Sequence, residues 1–218
     1  GIESDIAKRD KGSLAAIAAG EYDKYIIKWA TECKNFNLPV LLRFAHEMND
    51  PYHYPWGPQN NEASDFIAAW KHVHNVFVNA GATNVIWLWN PHLSYSFDEF
   101  YPGDEYVDII SFGVLNFGTS VSWSQWWTFE ELLSNSYEKL KLHNKPMMIS
   151  EFGSLVVGGD RSEWFKDAFA MIPEKYSQIR SIVFFHYSNE KSTDKSLNWQ
   201  FADDKKVLLT IKASISSW

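Results

Sequence analysis

Short apolar runs alternate with amphipathic helical patterns along the chain. The apolar runs predict five strands, over residues 39–46, 84–89, 107–114, 146–150 and 181–186. Apolar positions at helical spacing predict five helices, over residues 21–35, 65–79, 129–142, 161–172 and 204–215. Strands that alternate with helices in this way are typical of a parallel sheet with right-handed crossover connections. The pattern therefore predicts an α/β fold.

Residues that favour helix ends stand where several of these helices should begin or stop. They are Ser64 with Asp65, Gly81, Thr128 with Glu131, and Asp160. Thr128 and Glu131 have the three-residue spacing of a capping box, and Gly81 can adopt the left-handed backbone that ends a helix. These signals support the helix boundaries independently of the hydrophobic pattern.

The number of strands limits the architecture. A closed (β/α)₈ TIM barrel needs three more strands and usually about 250 residues. Residues 1–38 offer one helix and a polar lead but no strand. The sequence therefore predicts either an open sheet or a chain that begins part-way through a barrel.

Bulk composition narrows the function classes. At 218 residues, the chain is long enough for one domain over 1–218, and its net charge of −7 disfavours nucleic acid as a partner. The one cysteine, Cys33, excludes an internal disulfide or a multi-cysteine metal site. Residues 1–5 are too polar for a secretory leader, and no apolar run approaches the ~20 residues of a membrane span. The compartment stays open, with a secreted or periplasmic location expected ahead of a cytoplasmic one.

Aromatic residues are abundant, at 17% of the chain with 11 Trp and 10 Tyr, and many of them stand at the ends of predicted segments. Flat aromatic faces outside a core suit the apolar faces of sugar rings. The alternative is that most of them pack between helices and sheet. Their clustering in loops favours a carbohydrate groove.

Two glutamates follow predicted strands. Glu47 comes after the apolar run at 39–42, and Glu151 comes after the run at 146–149. Ligands and catalytic groups collect at the carboxyl ends of parallel strands. A retaining glycosidase needs two carboxyls about 5–5.5 Å apart. A single glutamate in such a place is usually a cap or a surface group, but two in similar contexts favour catalysis.

The neighbours of Glu47 fit this interpretation. In an extended strand, Arg43, Ala45 and Glu47 would share one face, so Arg43 could polarise the carboxylates. His46 flanks the glutamate, and Asn49 could offer its amide to a sugar hydroxyl. A zinc protease motif would need a second histidine four positions after His46 on a helix, and Asp50 stands there instead. Phosphate-binding glycine loops and a serine-hydrolase elbow are absent from the sequence, and no metal or cofactor is predicted.

These residues lie in motifs that extend over residues 17–190. They include Pro39-Val-Leu-Leu-Arg-Phe-Ala-His-Glu-Met-Asn49, Tyr54-Pro-Trp56, Gly81-Ala-Thr-Asn-Val-Ile-Trp-Leu-Trp89, Tyr101-Pro-Gly-Asp104 and Ser150-Glu-Phe-Gly153. In these motifs the chain resembles glycoside hydrolase family 26, which contains β-1,4-mannanases, mixed-linkage β-glucanases and β-1,3-xylanases. The resemblance implies a (β/α)₈ TIM barrel of which this chain covers strands four to eight. A missing segment or a partner copy would then complete the barrel.

The resemblance also implies roles for individual residues. Glu47 would be the acid/base and Glu151 the nucleophile of a retaining mechanism. Residues expected to bind or orient a polysaccharide or oligosaccharide substrate are Arg43, His46, Asn49, Tyr52, Trp56, Trp89, Asn116, Trp123 and His186. Two positions depart from the family pattern: Leu115 replaces a tyrosine before Asn116, and His186 stands where a tryptophan is frequent.

The leading hypothesis is a retaining endo-β-glycanase that acts on mannan, with mixed-linkage β-glucan or xylan as other possible substrates. Two alternatives stay open at this point. The first is a carbohydrate-binding relative that has lost its chemistry. The second is a scaffolding domain of a longer polysaccharide-processing protein.

Overall fold

A computed structural model describes residues 13–191, 193 and 195–215. The chain divides into two compact units, with the boundary between Ser111 and Phe112. The predicted polar lead at 1–5 lies outside the described residues. Within the described part of the chain, no helix is both long and apolar enough to cross a membrane.

The first unit contains two strands, the start of a third, and the helices that connect them. Its elements in chain order are α1 (Leu14–Ala18), α2 (Asp23–Phe36), β1 (Val40–Leu42), α3 (Ala63–Ala80), β2 (Val85–Trp89) and the beginning of β3 (Ile109–Asn116). Two short 3₁₀ turns, Asp98–Phe100 and Asp104–Tyr106, precede β3. Strands β1 and β2 run parallel with Val40 opposite Val85, and β2 and β3 run parallel with Leu88 opposite Ile109.

Helix α3 packs its apolar stripe against β2. The Trp70 and Phe77 rings lie 5.7 and 5.4 Å from the Trp87 ring, and all three side chains are buried. Gly81 ends the helix at φ 76°, as predicted. The start differs from the prediction, because Glu62 rather than Ser64 is the N-cap. The side chains of Glu62 and Asp65 form the capping box there.

The second unit contains the remainder of β3, followed by two further strands and three helices. Its elements are α4 (Phe129–Leu140), a 3₁₀ turn (Lys141–His143), β4 (Met147–Ser154), α5 (Arg161–Lys175), β5 (Ile179–Phe184) and α6 (Lys205–Ile215). Strands β4 and β5 run parallel, with Met147 opposite Ile179. Phe152 of β4 packs among aromatic rings of α5, with Trp164 and Phe165 at 5.1 and 5.3 Å.

Two of the capping signals in the second unit work as predicted. Thr128 and Glu131 cap α4 reciprocally: the Glu131 N–H donates to Thr128 Oγ1 at 3.2 Å, and the Thr128 N–H donates to Glu131 Oε2 at 2.8 Å. Asp160 caps α5 by accepting the backbone N–H groups of Ser162 and Glu163. Strand–helix alternation is therefore present in both units, as the hydrophobic pattern predicts.

Other elements also differ from the prediction. The strand expected over 39–46 ends at Leu42, and a turn follows it. Helix α1, which Ser13 caps, was missed because it has only five residues. Helix α5 was expected to stop at 172 but continues to Lys175, and it tolerates Pro173 because this proline lies in the last turn. There the proline removes only one backbone donor near a helix end.

Candidate active site

Glu47 lies in the turn that follows β1. Its backbone is left-handed at φ 53°, as is that of Ala45 at φ 43°. Such values are uncommon for residues other than glycine and mark backbone held in place by its surroundings. The N–H of Glu47 donates to the carbonyl oxygen of Asn90 at 2.6 Å. This turn corrects the expectation that Arg43, Ala45 and Glu47 alternate along one face of a strand.

Asn90 connects this turn to the end of β2. Its side chain is buried, its Oδ1 accepts a hydrogen bond from Arg43 Nη1 at 2.8 Å, and its Nδ2 donates to the Ser111 carbonyl oxygen at 2.9 Å. Arg43 therefore reaches Asn90 as well as lying close to Glu47 in sequence. Asn90 was not among the predicted site residues, although it directly follows a strand, the position at which functional side chains collect in parallel sheets.

Asn49 holds the loop that comes after Asn90. Its Nδ2 donates to the carbonyl oxygens of His92, Tyr95 and Ser96 at 2.8, 3.3 and 3.3 Å. Its Oδ1 accepts the His92 N–H at 2.8 Å. The side chain is buried and occupied by these backbone groups. Asn49 therefore contributes to the site indirectly, by fixing the loop that carries His92.

Glu47, Asp50 and His92 form a compact polar cluster. Each offers one polar atom, and these three atoms lie within 4.8 Å of one another. Both carboxylate oxygens of Asp50 already accept hydrogen bonds inside the loop, from the Tyr52 N–H and from His53 Nδ1. We therefore assign the cluster no metal ion. Burial, followed by the negative charge of Asp50, raises the pKa of nearby Tyr95.

Three aromatic rings pack against one another beside the Glu47 turn. The Tyr54 and Trp56 rings are nearly parallel, with centroids 5.0 Å apart, and the His46 ring lies 4.6 Å from Tyr54. Trp56 Nε1 donates to the His46 carbonyl oxygen at 2.8 Å, which fixes both residues. Tyr52 is 73% exposed and available for contact with a ligand.

Trp89 requires a correction. It was expected to line a groove, but its side chain is 0% exposed. Its indole N–H donates to the Phe100 carbonyl oxygen at 3.1 Å, and its ring packs edge-on against Phe97 and Tyr101. Trp89 is therefore a core residue of the first unit.

Glu151 belongs to the second unit and lies within β4. The strand continues to Ser154, so the predicted end at 150 was too early. Glu151 is half-buried and lies beside Gly113 of β3, which places no side chain against it. A methyl group added at Gly113 would meet the Glu151 Cβ at an ordinary 3.7 Å.

Asn116, at the end of β3, is also buried. Its Nδ2 donates to Ser154 Oγ at 3.1 Å, and its Oδ1 accepts the N–H groups of Gly118 and Trp127 at 3.1 and 3.3 Å. It thus fixes the loop that follows β3. Trp123 in that loop is 67% exposed, and its ring packs against Phe117.

His186 follows β5 on the surface of the second unit. Its Nε2 accepts the Ala202 N–H at 3.2 Å, and its ring stands edge-on to Phe201 at 4.9 Å. Among the predicted site residues, the first unit therefore groups Arg43, His46, Glu47, Asn49, Tyr52 and Trp56 around one turn and its neighbouring loop. The second unit holds Glu151, Asn116, Trp123 and His186.

The sequence is similar to a known protein family and to several named proteins. The sequence model of glycosyl hydrolase family 26 matches residues 12–141. Endoglucanase H of Acetivibrio thermocellus is 36% identical over 211 residues, which cover 92% of this chain and 23% of that protein. Mannan endo-1,4-beta-mannosidase of Bacillus subtilis is 29% identical over 171 residues, covering 74% of this chain and 42% of that protein. The chain thus spans less than half the length of these relatives.

Solved structures share the fold. The GH26 β-mannanase of Bacteroides ovatus superposes with a TM-score of 0.64 at 19% identity, covering 95% of this chain and 62% of that one. The catalytic domain of the GH26 endo-beta-1,4-mannanase of Bacillus sp. JAMB-750 gives a TM-score of 0.66 at 19% identity, covering 91% and 56%. The α/β architecture is therefore that of part of a GH26 barrel, which confirms the predicted fold class.

Proposed function

The chain belongs to glycosyl hydrolase family 26, and we propose on that basis that it is a retaining endo-β-glycanase acting on mannan. Membership rests on the family match over residues 12–141 and on 36% identity across 92% of the chain. The relatives extend well beyond the matched region, so activity and substrate belong to the proposal rather than to the family assignment.

The proposed mechanism uses two glutamates in two steps. Glu151 attacks the anomeric carbon while Glu47 gives its proton to the leaving glycosidic oxygen, which yields a glycosyl-enzyme and a shortened chain. Glu47, now a carboxylate, then takes a proton from water as that water attacks the anomeric carbon. The bond to Glu151 breaks, the sugar leaves with its original configuration, and Glu47 is again protonated.

The observation that carries the proposal is the backbone of Glu47. Its left-handed φ of 53° and its N–H bond to Asn90 hold this carboxyl in a turn that no helix or strand requires. Strained backbone at a side chain capable of acid/base chemistry is characteristic of active sites. The surrounding polar groups, among them Arg43 and His92, supply the environment that such chemistry needs.

Mannan is the preferred substrate because the solved relatives are mannanases and one curated relative is a mannan endo-1,4-beta-mannosidase. The endoglucanase and a Beta-1,3-xylanase TXYA of Vibrio, which is 26% identical over 147 residues, make β-glucan and xylan the other polysaccharides to assay. The exposed Tyr52 and Trp123 could each stack on a sugar ring.

The test measures the release of reducing ends from mannan, mixed-linkage β-glucan and xylan. Glu47→Ala and Glu151→Ala should each lower turnover by about 10³-fold or more, since each removes a group from the reacting centre. Azide should rescue Glu151→Ala on an activated aryl glycoside and give a glycosyl azide of inverted configuration. That product would identify Glu151 as the nucleophile.

Glu138→Ala is the matched control. Glu138 forms an exposed ion pair with Lys141, at 3.2 Å on the surface of the second unit, so its loss should leave turnover unchanged. Near-full activity of either Glu47→Ala or Glu151→Ala would refute the assigned role of that residue.

A carbohydrate-binding relative without catalysis is the second candidate. The exposed rings of Tyr52 and Trp123 favour it, because stacking alone can retain a sugar chain. Calorimetric titration with mannohexaose separates the two functions. Heat of binding without any release of shorter products would favour the binding function over hydrolysis.

A further inference from the structure

Asp50 is a buried carboxylate three residues after Glu47. Its side chain is 2% exposed. Its Oδ1 accepts the Tyr52 N–H at 2.8 Å, and its Oδ2 accepts a 2.6 Å hydrogen bond from His53 Nδ1. The loop therefore holds this carboxyl group out of solvent.

This carboxyl group lies close to the proposed acid/base. A carboxylate oxygen of Asp50 and one of Glu47 lie within 4.8 Å of each other, and a ring nitrogen of His92 lies within the same distance of both. The loop fixes this spacing, because the Asp50 N–H donates to the Glu47 carbonyl oxygen at 2.9 Å. Two carboxyl groups so close resist simultaneous ionisation.

We propose that Asp50 is a positioning residue whose buried negative charge keeps Glu47 protonated until the glycosidic oxygen takes its proton. The inference rests on the proposed function, in which Glu47 is the general acid. A general acid must still hold its proton at working pH, and a neighbouring anion is one means of achieving this.

Other groups act on Glu47 as well. In the first unit, the titratable or charged groups around Glu47 and Asp50 are Arg43, His46, Tyr52, His53, His92 and Tyr95. The ring of His92 accepts the Ser94 N–H at Nδ1, at 3.1 Å, so a neutral His92 carries its proton on Nε2. Arg43 carries a positive charge that opposes the effect of Asp50, and its Nη1 donates to Asn90 Oδ1. Asp50 is the buried anion of this group, and its charge also reaches Tyr95.

The experiment is the pH profile of kcat/KM on mannohexaose for the Asp50→Asn variant. Asparagine keeps the size of the side chain and an oxygen for the Tyr52 N–H, but removes the charge. Without that charge Glu47 loses its proton more readily, so the alkaline limb should move to lower pH by about one unit. A profile that coincides with that of the unmodified chain overturns the inference.

Asp108→Asn is the matched control, because Asp108 also accepts a backbone N–H, from Trp87 at 2.8 Å. Its alkaline limb should not move, and a shift equal to that of Asp50→Asn would overturn the inference. Thermal unfolding shows whether Asp50→Asn folds. If it does not, His53→Ala takes its place, because it removes the partner that offsets the charge of Asp50 and so leaves that charge to act more fully on Glu47. The limb should then move to higher pH, and an unmoved limb overturns the inference.

The failure of this inference can be told apart from failure of the proposed function. An inactive Glu47→Ala together with an unshifted Asp50→Asn profile removes only the role of Asp50. A fully active Glu47→Ala removes the assigned role of Glu47. Failure of the unmodified chain to release reducing ends from mannan, mixed-linkage β-glucan and xylan removes the proposed function itself.

Discussion

Asn49 and His92 bind each other reciprocally, with Asn49 Nδ2 donating to the His92 carbonyl oxygen and the His92 N–H donating to Asn49 Oδ1, both at 2.8 Å. Two further carbonyl oxygens of the same loop, those of Tyr95 and Ser96, also accept from Nδ2. One buried amide thus ties the Glu47 segment to the loop that carries His92. The position of His92 relative to Glu47 depends on this side chain.

Asn49→Ala should lower the free energy of unfolding by about 2–3 kcal/mol, because it leaves buried backbone groups without partners. It should also lower turnover on mannan, since the loop that carries His92 loses its anchor. Asn60→Ala is the control: Asn60 Nδ2 donates to the Pro55 carbonyl oxygen at 3.1 Å on the surface, and its loss should cost under about 0.5 kcal/mol. Urea denaturation measures the stability of the two variants, and equal midpoints for Asn49→Ala and Asn60→Ala would contradict the anchoring role of Asn49.

Gly153 gives a second prediction. A Cβ at this position would lie 3.2 Å from Trp199 Cε3 and 3.4 Å from Leu115 Cδ2, in a cluster of buried apolar residues. Gly153→Ala should therefore lower the free energy of unfolding by about 1–3 kcal/mol through overpacking. Gly113→Ala on the neighbouring strand is matched to it, because its Cβ meets only ordinary contacts at 3.7 Å. If Gly153→Ala proved as stable as Gly113→Ala, the packing argument would fail.

Local signals in the sequence predicted the helix ends well. Thr128 and Glu131 complete their capping box within four residues, and Gly81 ends α3 through its own backbone freedom. Such features need no distant partner, so the local amino-acid sequence is enough to identify them. The strand–helix alternation was predictable for a similar reason, because each element needs its own apolar face.

Features that depend on distant partners were not predictable in the same way. The turn at Glu47 resembles a continuation of the strand in sequence, since Arg43, Ala45 and Glu47 would share one face of an extended chain, and its left-handed residues are not glycines. Trp89 and Trp123 both stand near segment ends, yet one is completely buried and the other 67% exposed. Which of the two tryptophans is buried depends on tertiary packing, and the local sequence around each of them does not determine that packing.

The ion pair between Arg161 and Asp204 predicts an acid-dependent stability. Asp204 accepts the Val207 N–H at 3.1 Å, and this bond, followed by the 3.0 Å bond from Arg161 Nη2, lowers the pKa of Asp204. A lowered carboxyl pKa stabilises the fold above the unfolded value near 4, and that contribution is lost as pH falls through the folded value.

Asp204→Asn should therefore be less stable than the unmodified chain at pH 7, by about 1 kcal/mol after allowance for a side chain one-third exposed to solvent. The difference should shrink as the pH is lowered from about 5 to about 2. Asp203→Asn, at the exposed neighbouring position, should follow the unmodified chain throughout. Melting temperatures across this pH range provide the measurement, and a constant difference would argue against titration of Asp204.

The edge of the first unit gives the last prediction. Among the described residues, β1 pairs with β2 alone, and the apolar side chains of Leu41 in β1 and of Trp29 and Phe36 in the preceding helix α2 are 48, 50 and 61% exposed. An unpaired strand edge flanked by apolar surface tends to associate. We therefore expect a second copy of the 218-residue chain to cover it, so size-exclusion chromatography with light scattering should give a mass above 25.2 kDa. Phe36→Lys should reduce that mass, whereas Leu142→Lys, at an 84% exposed position in the second unit, should not. A well-folded monomer at every concentration would refute this prediction.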